Sequence, residues 1–246
     1  MIDCISVENM RQSDAYTIEN FVSSLELMYR AAYGVFKSVN WNGKIAIVSG
    51  SGNNGGDGFA LACILNERGM DCVVYTVGRR LSADSQHYAD IARQLGVEIV
   101  PFSANVDLAG YDYVVDCLLG TGFHGAVRED YRCAIEHINA SGAFIVSVDI
   151  NSGMNGDTGE GECIVRSDLT VSIGYVKNGL VTENAGRYMN RLVCVDIGII
   201  LTHQENKLYS QTEWHAFCDE TGTSEEEVSV FCDGCLHLRC PAWLEL

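Results

Sequence analysis

The chain has 246 residues and a formal net charge of −17 at pH 7, with 47% hydrophobic and 20% charged residues. These proportions are typical of a folded domain and exclude a disordered, collagen-like or coiled-coil chain. The excess of acidic residues disfavours binding to nucleic acid or to an anionic membrane surface, because both require basic surface.

Neither a membrane span nor a secretion signal is expected. No stretch approaches the roughly 20 uninterrupted apolar residues that cross a bilayer. The N-terminus has neither the basic start nor the apolar run of a signal peptide. The 11 cysteines are an odd number, and most of those before residue 200 lie in apolar runs, which indicates reduced thiols. We therefore expect a cytoplasmic protein.

The predicted elements begin with one helix over residues 13–40, where apolar residues repeat every three to four positions without a proline. From residue 44 onward, short β-branched runs alternate with segments of helical spacing. This alternation predicts a parallel sheet buried on both faces, in a three-layer α/β/α Rossmann-like fold of class α/β with a mostly parallel sheet. The predicted strands are 45–48, 72–75, 97–100, 113–116, 144–148, 169–173 and 192–195, and the predicted helices between them are 59–68, 83–95 and 129–141.

The alternation ends near residue 200, so we predict one domain over residues 1–200 and an acidic, cysteine-containing extension over 201–246. The extension holds nine acidic and two basic residues, and we expect it to be partly loose. The cluster of Cys232, Cys235, His237 and Cys240 contains one C-x2-C pair, where strong zinc sites have two. Incidental or redox-sensitive thiols are therefore favoured over structural zinc, and the sequence assigns no role to the extension.

A glycine-rich segment, residues 50–58, lies between the first predicted strand and a helix expected to begin near Phe59. Its glycines Gly50, Gly52 and Gly55 have the G-x-G-x-x-G spacing of dinucleotide sites. Glycine permits positive φ and close approach of a phosphate, which a helix N-terminus also attracts. An ordinary NAD site has an acid at the end of the second strand, where this chain has Arg79 and Arg80. These arginines are compatible with two roles, which are binding the 2′-phosphate of a dinucleotide and forming a solvated surface pair.

Two further strands end in a carboxylate followed by a glycine turn, at Asp116 and at Asp149. The carboxyl ends of parallel strands meet at one edge of the sheet, so we expect both residues to share a crevice with segment 50–58. Asp116, Ser152 and Asn54 offer the hard oxygen ligands that a cation prefers. Lys177 follows another strand end, where it suits either positive charge in the crevice or simple solvation, which is the usual role of a lysine beside a turn.

Residues 50–58, 116–125 and 149–153 resemble the three signature segments of the YjeF N-terminal domain family, the NAD(P)HX epimerases. Residues 27–32 and 167–180 are similar to that family as well, and the resemblance covers about residues 8–200. It implies epimerisation of the hydrated cofactors NADHX and NADPHX at C6 of the altered nicotinamide ring. It also implies a bound potassium ion, K(+), and a homodimer. Some relatives continue into a dehydratase domain, so we expect an NAD(P)HX dehydratase on a separate chain.

The resemblance also assigns roles to individual residues. Asn54, Asp116 and Ser152 would hold the potassium ion. Asn151 stands where the family usually has proline, which predicts a less rigid turn after Asp149. The substrate would be contacted by Asn53, Asn54, Gly55, Gly56, Asp57, Gly120, Thr121, Gly122, Phe123, His124, Gly125, Ala126 and Asp149.

The chemistry of the hydrated ring suits a carboxylic acid. Loss of the C6 hydroxyl leaves a cation stabilised by the adjacent ring nitrogen, and water returning to the other face inverts the centre. Asp149 ends a buried strand, so we predict that it has a raised pKa and acts as the catalytic acid/base. The alternatives are an NADP-linked oxidoreductase and a non-catalytic interaction module that retains the fold.

Overall fold

The computed structural model describes residues 1–232 and 234–245. Within them, no helix has both the length and the apolar composition to cross a bilayer. The strands are β1 (Ile2–Ile5), β2 (Ile45–Ser49), β3 (Cys72–Thr76), β4 (Glu98–Pro101), β5 (Tyr113–Cys117), β6 (Phe144–Val148), β7 (Ser167–Ile173), β8 (Val176–Lys177), β9 (Met189–Val195), β10 (Asn206–Tyr209), β11 (Ser229–Cys232) and β12 (Cys235–Arg239). The α-helices are α1 (Val7–Asn20), α2 (Ser24–Ser38), α3 (Asn53–Glu67), α4 (Ala83–Gln94), α5 (Glu129–Ala140) and α6 (Gln211–Thr221), and 3-10 turns cover Asn178–Val181 and Ala185–Arg187.

Seven strands form a parallel sheet in the order β4-β3-β2-β5-β6-β7-β9. The inner strand β2 is buried on both faces because its apolar side chains alternate between two cores. Ile45 and Ile47 pack in the cluster that contains α2, α3 and α4. Ala46 and Val48 pack in the cluster that contains α5. This arrangement confirms the predicted three-layer α/β/α fold.

The strand order creates a crevice beside β2. The chain proceeds outward from β2 through β3 to β4, and then returns to place β5 on the other side of β2. The connections that leave β2 and β5 therefore diverge at the carboxyl edge of the sheet. In open α/β sheets this point of reversal is where ligands bind.

The N-terminal region contains two helices where one was predicted over residues 13–40. The first, α1, ends at Asn20, and Phe21 leaves helical geometry with φ −134° and ψ −44°. The second begins after Ser23, whose hydroxyl accepts a hydrogen bond from the Glu26 amide at 3.2 Å. A serine N-cap of this kind starts a new helix. The apolar repeat continues across the break, so periodicity alone did not reveal it.

The C-terminal segment is folded against the N-terminus, and the expectation of a loose extension is wrong. A second sheet has the order β11-β12-β10-β1-β8, with β10 antiparallel to β1. Trp214 on α6 is fully buried, and Leu244 forms a bridge with Leu192 on β9. Strands of two to five residues are too short for an apolar repeat to stand out. The domain boundary drawn after residue 200 stays a prediction.

The structural-zinc alternative concerned the cysteines and the histidine of the C-terminal extension. Cys235 and Cys240 are free thiols, and Asp233 lies outside the described residues. His237 makes a 2.8 Å hydrogen bond through Nδ1 with the hydroxyl of Tyr209. Within the residues that the structure describes, no three His, Cys, Asp or Glu side chains are grouped as metal ligands.

Candidate active site

A cavity of about 840 Å³ opens at the carboxyl edge of the parallel sheet, beside the end of β2. Its walls come from α1, the start of α2, the start of α3 and the loops after β5 and β6. A second, smaller groove of about 590 Å³ lies between α2 and residues 195–198 and contains none of the predicted site residues. The predicted site residues that line the larger cavity are Asn53, Asn54, Asp57, Gly120, Thr121, Gly122, Phe123, His124, Ala126 and Asp149.

The glycine-rich segment is mostly helix. We predicted a loop up to Phe59, but α3 begins at Asn53, with Gly52 as its N-cap and no side-chain capping bond. The first N–H groups of a helix have no acceptor within the helix. Since Asn53 and Asn54 line the cavity, this end of α3 offers backbone donors and a positive helix dipole to an anionic ligand.

The glycines of this segment are required for close packing and not for positive φ. None of the glycines from Gly50 to Gly58 is among the described residues with positive φ. A Cβ on Gly50 would lie 2.0 Å from the carbonyl oxygen of Leu118, and one on Gly55 would lie 1.9 Å from the carbonyl oxygen of Gly50. The glycines thus let α3 lie directly against the ends of β2 and β5.

Asp149 is held between two other parts of the cavity wall. Its Oδ1 accepts a hydrogen bond from the Lys177 ammonium at 2.5 Å, and its Oδ2 accepts one from the Thr121 amide at 3.1 Å. The side chains of Lys177 and Asp149 are 1% and 15% exposed. The Asp149 backbone has φ +71°, a left-handed conformation that is uncommon for a residue other than glycine.

Lys177 is the functional residue whose importance sequence reasoning most underestimated. The ammonium also donates to the carbonyl oxygen of Ile173 at 2.7 Å and to the hydroxyl of Ser172 at 3.3 Å. A buried ammonium is stable only when paired and hydrogen-bonded, and these contacts meet both conditions. The two-residue strand β8, which places Lys177 below the cavity, leaves little sequence signal.

Two more carboxyls face the same cavity. Asp57 lies on α3, one turn beyond Asn54, and its side chain has no hydrogen-bond partner among the described residues. Burial, together with the negative charges of Asp149 and Asp14, raises the pKa of Asp57 well above its ordinary value. Burial and the charge of Asp149 also raise the pKa of Asp14 on α1. Sequence reasoning missed Asp14, because nothing in the pattern of α1 separates it from a surface carboxylate.

Asp116 lies beneath the cavity floor and does not line it. Its Oδ1 accepts hydrogen bonds from the Ser152 hydroxyl at 2.5 Å and the Leu118 amide at 3.2 Å. Its Oδ2 accepts from the Ser152 amide and the Ser147 hydroxyl, both at 2.9 Å. Burial raises the pKa of Asp116, while these bonds lower it. Since all four contacts donate to the carboxyl, they suit the ionised form.

Asn54 is the other unusual polar group. Both polar atoms of its amide, Oδ1 and Nδ2, are buried, with no hydrogen-bond partner in the described part of the chain. Leaving such atoms unpaired costs free energy. A Cβ on Gly120 would lie 3.2 Å from the Asn54 Cβ and 3.0 Å from Asp149 Oδ2. The start of α3 and the loops after β5 and β6 therefore meet at Gly120, as the predicted crevice requires.

The remaining predicted residues lie near the cavity without lining it. Gly55 and Gly56 face the protein interior, and a Cβ on Gly56 would lie 2.6 Å from the Met28 side chain. Gly125 is exposed, with φ +82°. Ser152 sits with Asp116 below the floor, where its hydroxyl also accepts a bond from the Leu119 amide at 2.9 Å.

The turn after Asp149 is held by hydrogen bonds of Asn151, and the expectation that it is less rigid than the family's proline turn stays a prediction. The buried Asn151 amide donates to the carbonyl oxygens of Val165 and Tyr188, each at 2.9 Å. Its Oδ1 accepts a bond from the Thr170 hydroxyl at 2.7 Å. These bonds restrain the turn where the family usually has proline.

Basic side chains also reach the cavity. Arg128 lines it and lies 4.9 Å from the centre of the Tyr131 ring, and Arg11 lines it from α1. Sequence reasoning singled out neither. Arg79 and Arg80, the candidates for a 2′-phosphate contact, are exposed and are not among the residues that line the cavity.

Comparison with known proteins places these residues in a family. The sequence model described as "YjeF-related protein N-terminus" matches residues 24–179. An NAD(P)H-hydrate epimerase of Limosilactobacillus fermentum is 35% identical over 198 residues, which is 78% of this chain and 95% of that protein. One of Lentilactobacillus buchneri is 34% identical over 207 residues, covering 81% and 96%. The bifunctional NAD(P)H-hydrate repair enzyme Nnr of Coxiella burnetii is 34% identical over 77% of this chain and 40% of its own length.

A solved structure agrees with the fold. The crystal structure of the yeast protein ynu0 superposes with a TM-score of 0.66 and 20% sequence identity, over 72% of this chain and 83% of that one. The similarity confirms the α/β architecture. With the sequence model and the curated relatives, it leads to one assignment: the chain belongs to the YjeF-related protein N-terminus family.

Proposed function

We propose that this protein is an NAD(P)H-hydrate epimerase, an isomerase that interconverts the R and S forms of NADHX and NADPHX at C6. The observation that carries this proposal is the meeting of the start of α3, the loop after β5 and Asp149 around one cavity. Its volume of about 840 Å³ is within the range of small-molecule sites. Relatives that carry the epimerase name align over most of the chain.

The cavity has distinct places for the two ends of the substrate. The open N–H groups of α3, next to Asn53, suit the anionic pyrophosphate, and Arg128 and Arg11 add positive charge to the same walls. Asp149 then lies where the hydrated ring would reach. A carboxylate beside C6 stabilises the ring cation that forms when the hydroxyl departs, and a carboxyl group there moves the proton.

We further propose a potassium ion held by Asn54, Asp116 and Ser152. The unpaired amide oxygen of Asn54 and the buried carboxylate of Asp116 support this proposal. Asp116 accepts four hydrogen bonds, but no basic side chain among the described residues forms an ion pair with it. A monovalent cation would balance its charge and give the Asn54 oxygen a partner. When bound, the ion supplies positive charge behind the loop that carries Gly120.

The proposal also includes the location of the enzyme and its partners. The free thiols of Cys4, Cys63 and Cys117 suit a reducing compartment, and we place the enzyme in the cytoplasm. We propose that a separate NAD(P)HX dehydratase acts on the product and that the epimerase forms a homodimer.

The test is to incubate the protein with a single epimer of NADPHX and to separate the two epimers by chiral chromatography. An epimerase brings the mixture to equilibrium much faster than buffer does. Reduction or oxidation of NADP in the same cavity, without epimerisation, would support the oxidoreductase alternative and overturn the proposal.

A further inference from the structure

The carboxyl group of Asp57 forms no hydrogen bond or ion pair with the residues that the structure describes. It lines the cavity from α3, on a different wall from Asp149, which ends the turn after β6. The backbone around Asp57 is fixed, since a Cβ on the next residue, Gly58, would lie 2.5 Å from the hydroxyl of Ser49. Asp57 is thus a rigidly placed, partly buried carboxyl without a hydrogen-bond partner among the described residues.

Asp149 has the opposite environment in the same cavity. Both of its oxygens accept hydrogen bonds, one from the buried ammonium of Lys177 and one from the Thr121 amide. The Lys177 ammonium lies 2.5 Å from Asp149 Oδ1, so this carboxyl group is positioned by a buried basic side chain. Two carboxyls whose surroundings differ in this way divide acid and base roles between them.

We propose that Asp57 is the proton donor of the epimerisation and that Asp149, held in place by Lys177, is the proton acceptor. This division rests on the proposed function and goes beyond it, because it makes Asp57 a catalytic residue and Lys177 a positioning residue. It also replaces the single acid/base role that the sequence suggested for Asp149.

The epimerisation has two steps. In the first, Asp57 gives its proton to the C6 hydroxyl, and the C–O bond breaks so that a water molecule departs with the bonding electron pair. The lone pair of the ring nitrogen then forms a C=N bond. Water then adds to the opposite face of C6, the C=N pair returns to nitrogen, and the surplus proton of the added water passes to Asp149. The two carboxyls finish with exchanged protonation states. Exchange with solvent, or turnover of the other epimer in reverse, resets them.

The charged groups around Asp57 agree with this assignment. Asp14 faces it from α1, Asp149 from the turn after β6 and Lys177 from β8, while the Cys117 thiol of β5 lies behind it. Burial and the two carboxylates raise the pKa of Asp57, and the Lys177 charge opposes them. The balance keeps a proton on Asp57 at higher pH than an ordinary aspartate would.

The experiment compares the pH dependence of kcat/KM for wild type, Asp57→Asn and Asp149→Asn with NADPHX. We expect wild-type activity to fall on the alkaline side as Asp57 loses its proton. Asp57→Asn should lower kcat by about 100-fold or more, the usual contribution of a general acid, and its residual activity should lack the alkaline fall. A matched control, Asp90→Asn, removes an exposed carboxylate on α4 that is paired with Arg93 and is not among the cavity-lining residues, and should keep both kcat and the profile.

A second variant keeps the test decisive if Asp57→Asn does not fold. Removing the neighbouring charge by Asp14→Asn lowers the pKa of Asp57, so the alkaline fall should move to lower pH. The inference is overturned if Asp57→Asn retains wild-type kcat and profile, or if Asp14→Asn leaves the alkaline fall unmoved. Absence of turnover by the wild type would instead overturn the proposed function itself.

Discussion

The ammonium of Lys177 lies 2.5 Å from a carboxylate oxygen of Asp149, and the two side chains are only 1% and 15% exposed. The two residues are 28 positions apart in the sequence, and strand β8 places Lys177 next to Asp149. The pair fixes the orientation of the Asp149 carboxylate, which follows β6 into the cavity. It therefore links the stability of the fold with the chemistry of the site.

Lys177→Met should lower the free energy of unfolding by about 3–5 kcal/mol, because it leaves Asp149 charged and poorly solvated. Adding Asp149→Asn should restore a large part of that loss, since no unpaired charge then remains. Urea unfolding of the four proteins measures both effects. Lys207→Met breaks the ion pair with Asp3, whose side chains are 14% and 26% exposed, and should cost about 1 kcal/mol or less. Equal losses for Lys177→Met and Lys207→Met would contradict the assigned role of the buried pair.

Asp57 should make the protein less stable as pH rises. Its pKa in the folded state is raised above that of the unfolded chain, so the folded state binds the proton more tightly. The stabilising contribution is complete below about pH 4, the ordinary aspartate value, and is lost as pH rises through the folded-state pKa. Asp57→Asn should match wild type at pH 4 and exceed it by on the order of 1 kcal/mol at pH 8. Denaturant melts at both pH values test this, and a wild-type advantage at pH 8 would contradict it.

Potassium should stabilise the wild-type protein and should not stabilise a variant that lacks the Asn54 amide. A ligand at 100 times its dissociation constant adds about 2.7 kcal/mol, which raises Tm by several degrees in a chain of this size. Thermal melts in potassium chloride and in choline chloride at equal ionic strength should show this difference for wild type. Asn54→Leu should remove the difference and lose little stability in choline, because the Asn54 amide atoms have no hydrogen-bond partner to lose among the described residues. Equal melting of wild type in both salts would contradict the proposed ion.

The C-terminal segment should be required for stability. Trp214 is fully buried beside Tyr209, with ring centres 6.0 Å apart, so Trp214→Ala should cost about 3–5 kcal/mol. Trp214→Phe keeps an aromatic ring and removes an indole N–H that has no hydrogen-bond partner in residues 1–232 and 234–245, so it should cost about 1 kcal/mol. Chemical denaturation monitored by far-UV circular dichroism measures both. Equal, small losses would show that α6 is not an integral part of the fold.

The sequence predicted the elements whose pattern is long and local. The seven strands of the parallel sheet were found because buried strands such as β2 and β7 are nearly continuous β-branched runs. Asp149 was found because a carboxylate and a glycine turn follow such a strand. The helical state of Asn53 and Asn54 was missed because glycine and asparagine disfavour helix. It depends on the close packing of Gly55 against Gly50, a tertiary contact with no local signature.

The positions of Lys177 and Asp14, which complete the site, depend more on tertiary structure than the strands of the parallel sheet do. Lys177 lies in a two-residue strand, β8, that pairs with β1 near the N-terminus. Asp14 faces the cavity because α1 lies across the sheet edge. The pairing of β10 with β1 was hidden for the same reason, since neither four-residue strand carries a pattern of its own. In each case the decisive partner is remote in sequence.

The central claim is that Asp149 and the start of α3 form one site that inverts C6 of a hydrated nicotinamide. Its most direct test starts from pure R-NADPHX and follows the S epimer by chiral chromatography with wild type and Asp149→Asn at equal concentration. The account predicts rapid equilibration by wild type, and with Asp149→Asn only the slow rate seen in buffer, while that variant still binds the dinucleotide and unfolds cooperatively. Equilibration by Asp149→Asn at the wild-type rate would contradict the role of Asp149, and no acceleration by wild type would contradict the activity.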